Sequence, residues 1–292
     1  MGINMSVRKR RTRPAVTILI AALICVAITI LIILMLGFRY ISTDKGIRFI
    51  GKIEGGQPIT GTIKYPNGQK ATLDYFSSTI TYDNGDLYTG EIKGIYRSGR
   101  GTMVYDATGD RYEGDFYEDE ITGSGVYTYS NGDIYEGALL EGKMHGNGVI
   151  TFASGAKYEG NFNYGVRSGY GVYVWSSGTK YDGAFADDVK HGFGKMTYAN
   201  GDYYEGQFVE DKRQGNGTYT WEDGESYSGN FNNNLIDTRI INSSGKYLKN
   251  DDGTFVHGSE GVYTFTTGRK YTGYFEAGKV VGVDIDINQP TS

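Results

Sequence analysis

Residues 135–158 read YEGALLEGKMHGNGVITFASGAKY, and residues 181–204 repeat the same landmarks as YDGAFADDVKHGFGKMTYANGDYY. Each stretch opens on Tyr-x-Gly, continues to Gly-x-Gly and reaches a turn that ends in glycine. The Tyr-x-Gly triplet recurs after 24 residues and then five times after 23, beginning at Tyr88, Tyr112, Tyr135, Tyr158, Tyr181, Tyr204 and Tyr227. A fixed period of this length predicts a repeat architecture.

Each repeat unit is predicted to be a β-hairpin. Residues after Gly-x-Gly alternate between apolar or aromatic and other types, as in Gly171-Tyr173-Trp175, and a period of two is typical of a strand. The residue before the closing glycine of the turn varies among Asn, Ser, Thr and Asp. Because Ser and Thr tolerate positive φ poorly, this variation favours a three-residue loop with a glycine bulge over a two-residue Asn-Gly turn.

The three-residue loop also determines which residues share a face of the sheet. It places Tyr127 opposite Tyr135 and Gly125 opposite Gly137, so that rings and glycines lie on one face and Glu136 lies on the other. A ring that covers a neighbouring glycine compensates for the missing side chain. We therefore expect a sheet that is stable without a second layer.

With these landmarks the sequence resembles the MORN repeat family, whose pattern of about 23 residues is YEGxFxxGxxxGxGxxxxxNGxxY. The resemblance is clear from Tyr88 to about Asn232. Family members, which include junctophilins and parts of some lipid kinases and lysine methyltransferases, form elongated, single-layered antiparallel sheets of stacked hairpins. The resemblance implies a scaffold, a tether or a dimerisation module, and no catalytic fold.

The same pattern divides the chain into five predicted segments. They are a basic cytoplasmic tail, a transmembrane helix, degenerate entry repeats, regular repeats, and degenerate repeats with a C-terminal capping strand, at residues 1–14, 15–38, 39–87, 88–232 and 233–292. Phe49 and Gly51, with Gly61 further on, indicate a degenerate first unit.

The last segment departs from the pattern in two places. Residues 235–247 replace the Gly-x-Gly step with Thr238 and Ile240, and we interpret them as a distorted repeat and a bend. At the C-terminus, apolar residues alternate with two aspartates, as Val283, Asp284, Ile285, Asp286 and Ile287. A last strand that carries aspartate is expected to discourage edge-to-edge association.

The N-terminal region is predicted to anchor the chain in a membrane. Residues Ala15 to Leu36 carry no charge, and 22 helical residues span roughly 30 Å. Basic residues precede this run in greater number than they follow it, which predicts a cytoplasmic N-terminus and an extracytoplasmic repeat domain; they are Arg8, Lys9, Arg10, Arg11 and Arg13 before it, and Arg39 and Lys45 after it. The alternative is a cleaved signal peptide, whose apolar region is usually shorter.

Charge and cysteine content exclude several classes of function. Removing the five basic residues of the tail from the formal net charge of −5 leaves −10 on the rest of the chain. So acidic a domain is not expected to bind nucleic acid or an anionic membrane surface. Cys25, the single cysteine, lies in the apolar run, so no disulfide framework is predicted.

We predict no catalytic, cofactor-binding or metal site. His145 and His191 occupy equivalent positions two repeats apart, roughly 19 Å by strand spacing, which is too far to share a metal. The acidic residues Glu113, Glu136, Glu159, Asp182 and Glu205 recur once per repeat, with Arg111, Lys157 and Lys180 interleaved. We interpret this series as a solvated face, with a weak divalent-cation site as the alternative. The Gly-x-Gly steps precede no helix, so they do not indicate a phosphate loop.

One group of residues could bind a partner directly. Tyr173, Trp175, Tyr219 and Trp221 enlarge the aromatic face in two repeats, either as rings packed on glycines or as an exposed strip. The sequence as a whole predicts a non-enzymatic, membrane-anchored scaffold, tether or spacer with a protein partner or a homodimeric form. The alternative is a glycan- or cell-wall-binding module that uses the aromatic strip.

Overall fold

The structure is a computed structural model, and it describes residues 14–281. The basic tail and the alternating segment from Val283 to Ile287 therefore lie outside the described residues. The described part contains one helix and a series of antiparallel strands connected by short turns. This arrangement confirms the prediction of an all-β hairpin repeat preceded by a helix.

Helix α1 spans Pro14–Met35. None of the window from Ile18 to Met35 is buried, and its mean hydropathy is 3.3. By length and composition the helix could cross a membrane. A signal sequence near the N-terminus would have the same properties, so the choice between anchor and signal stays a prediction.

The described strands fall into two compact units. The first unit ends at Thr108 and also contains Tyr117–Asp119, and the second comprises Gly109–Phe116 and the residues from Glu120 onward. In the first unit each strand pairs antiparallel with the next along the chain. Its strands are β1 (Phe38–Ser42), β2 (Arg48–Glu54), β3 (Gln57–Lys64), β4 (Lys70–Asp74), β5 (Thr79–Tyr82), β6 (Leu87–Lys93) and β7 (Tyr96–Val104).

The second unit contains most of the regular repeats. Consecutive strands from β9 to β18 pair antiparallel. The strands are β8 (Arg111–Tyr117), β9 (Glu120–Thr128), β10 (Ile134–Leu140), β11 (Lys143–Thr151), β12 (Lys157–Asn163), β13 (Val166–Val174), β14 (Lys180–Ala186), β15 (Val189–Thr197), β16 (Tyr203–Val209), β17 (Lys212–Thr220), β18 (Ser226–Asn232), β19 (Leu235–Ile236), β20 (Gly261–Thr264), β21 (Lys270–Gly273), β22 (Phe275–Glu276) and β23 (Lys279–Val280).

The loop at one end of each hairpin has three residues, as predicted. Between β9 and β10 the backbone N–H of Tyr129 donates to the carbonyl of Asp133, and Gly132 N–H donates to the carbonyl of Tyr129, both at 2.9 Å. Gly132 has φ of 91°, so the glycine alone takes the left-handed conformation. The predicted register is confirmed, because Tyr135 lies opposite Tyr127.

The loops at the other end of the hairpins are of a second kind, which the sequence analysis did not identify. They have two residues with positive φ at both, the geometry of a type I′ turn. Asp187 and Asp188 form one such turn, with φ of 47° and 68°, and Glu210 and Asp211 form the next. Asp and Asn tolerate this conformation better than most residues, and most of these turns contain one of the two or a glycine.

The two glycines of Gly-x-Gly have different roles. The first, such as Gly169 with φ of 69°, lies where the pairing of β12 with β13 shifts register between Gly160 and Phe162. The second, Gly171, has an ordinary strand conformation, but a Cβ added there would lie 2.5 Å from the ring of Tyr158. The first glycine therefore serves backbone geometry, and the second makes room for a ring.

The core of the sheet is a repeated contact that we call the tyrosine junction: a Tyr-x-Gly tyrosine, its two neighbouring glycines and two flanking rings. Tyr158 lies across Gly160 and Gly171, and its hydroxyl donates to the carbonyl of Asn161 at 2.9 Å. Phe162 and Phe185 meet its ring edge-on, at centroid distances of 5.1 and 5.2 Å. The seven tyrosines of the regular series, from Tyr88 to Tyr227, have zero exposed area.

The degenerate first unit uses a variant of the same contact. Phe49 replaces tyrosine and is fully buried, and Gly51 lies opposite Gly61 in the pairing of β2 with β3. A Cβ on either glycine would lie within 2.7 Å of the Phe49 ring. The assignment of residues 39–87 to degenerate repeats stays a prediction.

Residues 235–264 differ from the predicted distorted repeat. β18 pairs with β19 at one end, through Phe231 and Ile236, and with β20 at the other, through Tyr227 and Tyr263. The chain between β19 and β20 leaves the ladder and forms isolated bridges, such as the one between Arg239 and His257. One repeat therefore contains an insertion, because Gly261 takes the place beside the Tyr227 ring that the second glycine holds elsewhere.

The tyrosine junction predicts a large difference between two chemically identical substitutions. Gly171→Ala forces a methyl group against the Tyr158 ring, whereas Gly258→Ala meets no atom closer than 3.7 Å. We expect Gly171→Ala to lower the free energy of unfolding by about 1–3 kcal/mol, the usual cost of overpacking, and Gly258→Ala to change it by less than about 0.5 kcal/mol. Urea denaturation of the full chain in detergent, followed by circular dichroism, would measure both. Equal effects would contradict the proposed role of Gly171.

Candidate functional site

The second unit presents two surfaces that differ in chemistry. We call the side that carries Tyr158, Gly160 and Gly171 the ring face, and the side that carries Glu159, Asp182 and Glu205 the acidic face. Strand alternation assigns successive residues to the two sides. A binding site on this sheet must therefore use one of the two faces or an edge.

On the ring face, a basic side chain closes several tyrosine junctions. The guanidinium carbon of Arg167 lies 5.7 Å from the Tyr158 ring centroid and 5.4 Å from that of Phe185. Its Nε donates to Asp188 Oδ1 at 2.9 Å, and its Nη2 donates to the Asp188 carbonyl at 2.6 Å. The contact joins one hairpin to the type I′ turn of the next. Lys190 with Asp211 and Arg213 with Asn234 repeat it.

The sequence analysis missed this clamp between repeats, although its signal was present. Arg167, Lys190 and Arg213 follow one another at 23 residues, and so do Asp188, Asp211 and Asn234. Two earlier repeats carry Ile121 and Met144 at the basic position instead. Because the clamp is present in only some repeats, it was less conspicuous than the Tyr-x-Gly period.

The predicted aromatic strip lies on the ring face, and its four residues are half-buried. Tyr173 packs against Trp175 with ring centroids 4.4 Å apart, and Tyr219 packs against Trp221 at 4.9 Å. Among the described residues, no ring of the first pair contacts a ring of the second. Trp175 and Trp221 belong to a longer row at the bulged loops, which also contains Tyr129, Phe152, Tyr198 and Phe265. Glycan binding by the strip stays a prediction.

The acidic face contains the predicted series of carboxylates with basic neighbours. Arg111 pairs with Glu113 at 2.6 Å, Lys157 with Glu159 at 3.1 Å and Lys180 with Asp182 at 3.0 Å. The pairs are largely exposed, and exposed pairs contribute little to stability. Within residues 14–281 no three His, Cys, Asp or Glu side chains come together as a metal site would require.

Two large aromatic side chains stand out on the acidic face. Tyr170 and Phe193 are 62% and 59% exposed and occupy the middle position of Gly-x-Gly in consecutive repeats. Beside Phe193 lies an open cavity of about 660 Å³ that is also lined by Tyr203, Glu205 and Asn216. Exposed rings beside hydrogen-bonding groups are the composition of a protein interface. No periodic signal in the sequence marks these two rings, because the middle residue of Gly-x-Gly is polar in other repeats, as in Asn147 and Asn216.

The histidines have separate surroundings. His145 packs edge-on against Tyr164 at 5.0 Å, while His191 is exposed. His257 lies in the insertion, where Nδ1 is 2.8 Å from the Thr238 hydroxyl and Nε2 is 3.2 Å from Glu276 Oε1. No two of the three share a contact in the described part of the chain.

The insertion also encloses a buried ion pair. Asp237 has no exposed area, and Arg239 donates to both of its carboxylate oxygens, while the Tyr247 hydroxyl donates to Asp237 at 3.0 Å. Burial alone would raise the pKa of the Asp237 carboxyl, but the hydrogen bonds from Arg239 outweigh it and lower that pKa. Asp237 is thus fully partnered, and the cluster fixes the insertion rather than offering a reactive group.

The geometry defines this chain as a β-hairpin repeat protein built from tyrosine junctions. Six consecutive stretches match the MORN repeat family: residues 88–107, 112–134, 135–157, 158–180, 181–203 and 204–226. The chain therefore contains six MORN repeats in succession, as the sequence resemblance suggested. No curated protein matches the sequence.

Several solved structures are distantly similar. The TCP10 domain of Danio rerio CPAP, in complex with a peptide of Danio rerio STIL, is 16% identical, with 76% of this chain and 99% of that chain covered and a TM-score of 0.33. The same domain without peptide is 14% identical over 85% and 99%, with a TM-score of 0.34. Virginiamycin B lyase from Staphylococcus aureus is 12% identical over 82% and 85%, with a TM-score of 0.15. Likenesses this weak say nothing about function here.

The buried tyrosines predict a loss of stability in alkali. Burial raises the pKa of the Tyr135 and Tyr158 hydroxyls to about 12, from 10.0. The stability that these tyrosines contribute is complete below pH 10, where their hydroxyls are protonated in both the folded and the unfolded chain. It is lost as pH rises toward 12, because the hydroxyls of the unfolded chain ionise first. We expect the melting temperature to fall across this range, as followed by circular dichroism.

The matched variant for this experiment is Tyr158→Phe, which removes one of the ionising hydroxyls and leaves the ring. Its melting temperature below pH 10 should be lower than that of the parent chain, because the bond to the Asn161 carbonyl is lost. Its further decrease between pH 10 and 12 should be smaller. An alkaline decrease of the same size in both chains would show that Tyr158 does not contribute to it.

Proposed function

We propose that this chain is a non-enzymatic, membrane-anchored scaffold whose repeat sheet binds or spaces protein partners. The observation that carries the proposal is that the two faces of the second unit have different roles. The rings and glycines of the ring face are occupied in joining one hairpin to the next. The acidic face is not needed for that purpose and presents exposed aromatic and charged side chains.

The MORN repeats support a scaffold. Repeats of this kind contact only their neighbours and offer a surface that is renewed once per unit. In this chain the features of the acidic face that recur once per repeat are a carboxylate and the middle residue of Gly-x-Gly. The second of these is a large ring in Tyr170 and Phe193 and polar in Asn147 and Asn216. The two rings thus mark one part of the face as the place where a partner would bind.

The non-enzymatic part of the proposal rests on how the titratable groups are distributed. On the acidic face, Glu113, Glu159 and Asp182 each pair with a neighbouring Arg or Lys, and these pairs are largely exposed. The buried Asp237 is committed to Arg239 and Tyr247. A hydrolase would need a nucleophile, a base and a stabilising donor at one point, and neither the ion pairs of the acidic face nor the Asp237 cluster combines them in the described part of the chain.

The membrane anchor is supported by the exposure of α1. Its 22 residues are almost entirely apolar, and each described side chain from Ile18 to Met35 is exposed to the surroundings of the protein. Such a surface is unfavourable in water and favourable in a bilayer. The cluster of five basic residues before it supports a cytoplasmic N-terminus and an extracytoplasmic repeat domain.

The anchor and the signal peptide predict different fates for the chain. An anchored chain keeps its N-terminus, stays with the membrane in alkaline carbonate, and exposes the repeats to protease added to intact cells. We expect this result for a chain that carries a tag at each end and whose mass is measured by mass spectrometry. Loss of the N-terminal tag together with release of the repeats would indicate a cleaved signal, and protection of the repeats would reverse the orientation.

The scaffold proposal predicts that the exposed rings hold a partner. In the chain's own cells, the double substitution Tyr170→Ser and Phe193→Ser should abolish cross-linking of a partner protein to the full chain. The reason is that binding energy at an interface is concentrated in such rings. The folded state should be retained, since both rings are mostly exposed. Ile134→Ser, at a 42% exposed position of the same face, is the matched control. Unchanged cross-linking in the double variant would place the partner elsewhere, and the absence of any cross-linked protein would contradict the scaffold.

A further inference from the structure

Three basic side chains lie side by side across the first unit, and we call them the basic row: Arg48 on β2, Lys64 on β3 and Lys70 on β4. Arg48 lies directly opposite Lys64, and Lys64 lies directly opposite Lys70. All three residues are exposed. Direct partners on adjacent strands have Cβ atoms about 4.5–5.5 Å apart, and like charges at this distance destabilise a sheet. The arrangement therefore opposes folding rather than supporting it.

The acidic face of the second unit carries its basic side chains in a different arrangement. Lys157 and Lys180 occupy the level of the strands that corresponds to the basic row, but Val174 lies between them and opposite both. Each of the two lysines also pairs with the carboxylate two residues further along its strand, Glu159 or Asp182. In that unit like charges are kept two strands apart and are neutralised within the chain.

The basic row is not neutralised in this way by the described residues. The positions that carry carboxylates on the acidic face are uncharged here; they are Ile50, Thr62 and Thr72. Between residues 14 and 281 none of the three basic side chains forms an ion pair. Asp83 contacts Lys70 through the backbone, where its N–H donates to the Lys70 carbonyl at 2.9 Å. Carboxylates that would neutralise the row must therefore come from a ligand.

Exposed apolar side chains adjoin the basic row. Tyr40 on β1 and Ile50 on β2 lie directly opposite each other, and each is 61% exposed. Ile50 lies on the same face as Arg48, two residues along the strand, and Thr62 lies opposite Ile50. Aromatic residues and arginine are enriched in protein interfaces. Cations, an apolar pair and hydroxyl groups together suit a protein segment better than a simple anion.

The spacing of the basic row favours a helix as its ligand. Adjacent strands are about 4.8 Å apart, so the three side chains span roughly 10 Å across the sheet. Carboxylates at i, i+4 and i+7 of a helix lie on one side and span roughly 10.5 Å, because each residue rises about 1.5 Å. Residues on one side of an extended chain are about 6.6 Å apart, so three of them span roughly 13 Å. A helix lying across the strands therefore matches the row more closely.

The charge of the rest of the chain distinguishes such a helix from an anionic membrane. A membrane surface extends beyond the row and interacts with the whole domain over a Debye length of about 8–10 Å. Beyond its basic tail the chain is acidic, so this interaction is unfavourable. A short acidic helix contacts only the row and its neighbours, where the local charge is positive.

We propose that the basic row binds an acidic helix of a protein partner, whose carboxylates at i, i+4 and i+7 face Arg48, Lys64 and Lys70. An apolar residue beside the carboxylates would lie on Tyr40 and Ile50. Exposed ion pairs contribute little one by one, so the three pairs and the apolar contact together give a weak interaction that salt reduces. The inference rests on the proposed scaffold role and specifies a class of partner and a place of binding in the first unit.

The probe for this site is a labelled, alanine-based helical peptide with glutamate at i, i+4 and i+7. We expect it to bind the full chain in detergent at low salt, as measured by fluorescence anisotropy. Replacing the row by Arg48→Thr, Lys64→Thr and Lys70→Thr should weaken binding at least about tenfold. Lys157→Thr, at a paired position of the acidic face, is the matched control and should leave binding unchanged. Equal binding by the triple variant would overturn the inference.

The arrangement of carboxylates on the peptide provides a second control. A peptide of the same composition with glutamate at i, i+2 and i+4 directs one carboxylate to the opposite side of the helix. It should bind about threefold more weakly, because one exposed ion pair is lost. Equal binding of the two peptides would show that only total charge matters and would contradict a helical ligand.

The single variant Lys64→Thr separates binding from folding. It removes the middle charge of the row, so binding of the peptide should weaken about threefold. Its melting temperature should be unchanged or higher than that of the parent chain, because two contacts between like charges are removed. A lower melting temperature would mean that Lys64 supports the fold, and the argument from opposed charges would fail.

Acylation of lysines tests the other occupants of the same surface. In the full chain in neutral phosphatidylcholine bilayers, Lys64 and Lys70 should react with an acylating reagent and become protected when the peptide is added, as read by mass spectrometry. Protection without peptide in phosphatidylglycerol bilayers would mean that lipid headgroups occupy the row. Protection in neutral bilayers without peptide would mean that another segment of the chain or a second copy covers it. Either result would overturn the inference.

The outcome of these experiments is separate from the test of the scaffold. Cross-linking that depends on Tyr170 and Phe193 involves the second unit and would be unaffected by the triple variant of the row. Loss of the inference would therefore leave the scaffold proposal standing.

Discussion

The structure depends on one contact, the fit of a tyrosine ring over two glycines on adjacent strands. A sheet without a covering layer has no conventional core, so each hairpin must bury apolar area against its neighbour. Tyr158 does this by lying across Gly160 and Gly171, and two phenylalanine rings complete its enclosure. Glycine normally weakens a strand, but here it provides the space in which a full ring becomes buried.

The repeated contact makes stability local. A junction involves one hairpin and the next, and the clamp from Arg167 to Asp188 adds a second connection between the same two hairpins. Both kinds of contact are nearest-neighbour terms, as in other repeat proteins. This locality explains how the chain accommodates an insertion between β19 and β20, because Gly261 restores the junction with Tyr227 after the additional residues.

Locality also separates the surfaces that can bind from those that hold the fold. The ring face is filled by side chains that contact one another, while the acidic face carries ion pairs that contribute little to stability, together with the exposed rings Tyr170 and Phe193. Residues of the acidic face can therefore be substituted without loss of the fold.

The sequence by itself determined the architecture, since the spacing of Tyr-x-Gly, the variable residue before each turn glycine and strand alternation are local signals. They predicted the hairpins, the three-residue loops, the register of Tyr127 with Tyr135 and the shared face of rings and glycines. The ion pairs of the acidic series were also within reach, because alternation places Lys157 beside Glu159.

Only the tertiary structure decided the features that depend on contacts between segments of irregular spacing. The sequence predicts a distorted repeat and a bend at residues 235–247, but β18 pairs with both β19 and β20, so these residues lie in an insertion. The four residues of the predicted aromatic strip form two separate ring pairs. The most exposed rings of these repeats, Tyr170 and Phe193, lie instead on the acidic face, because exposure depends on what packs against a side chain.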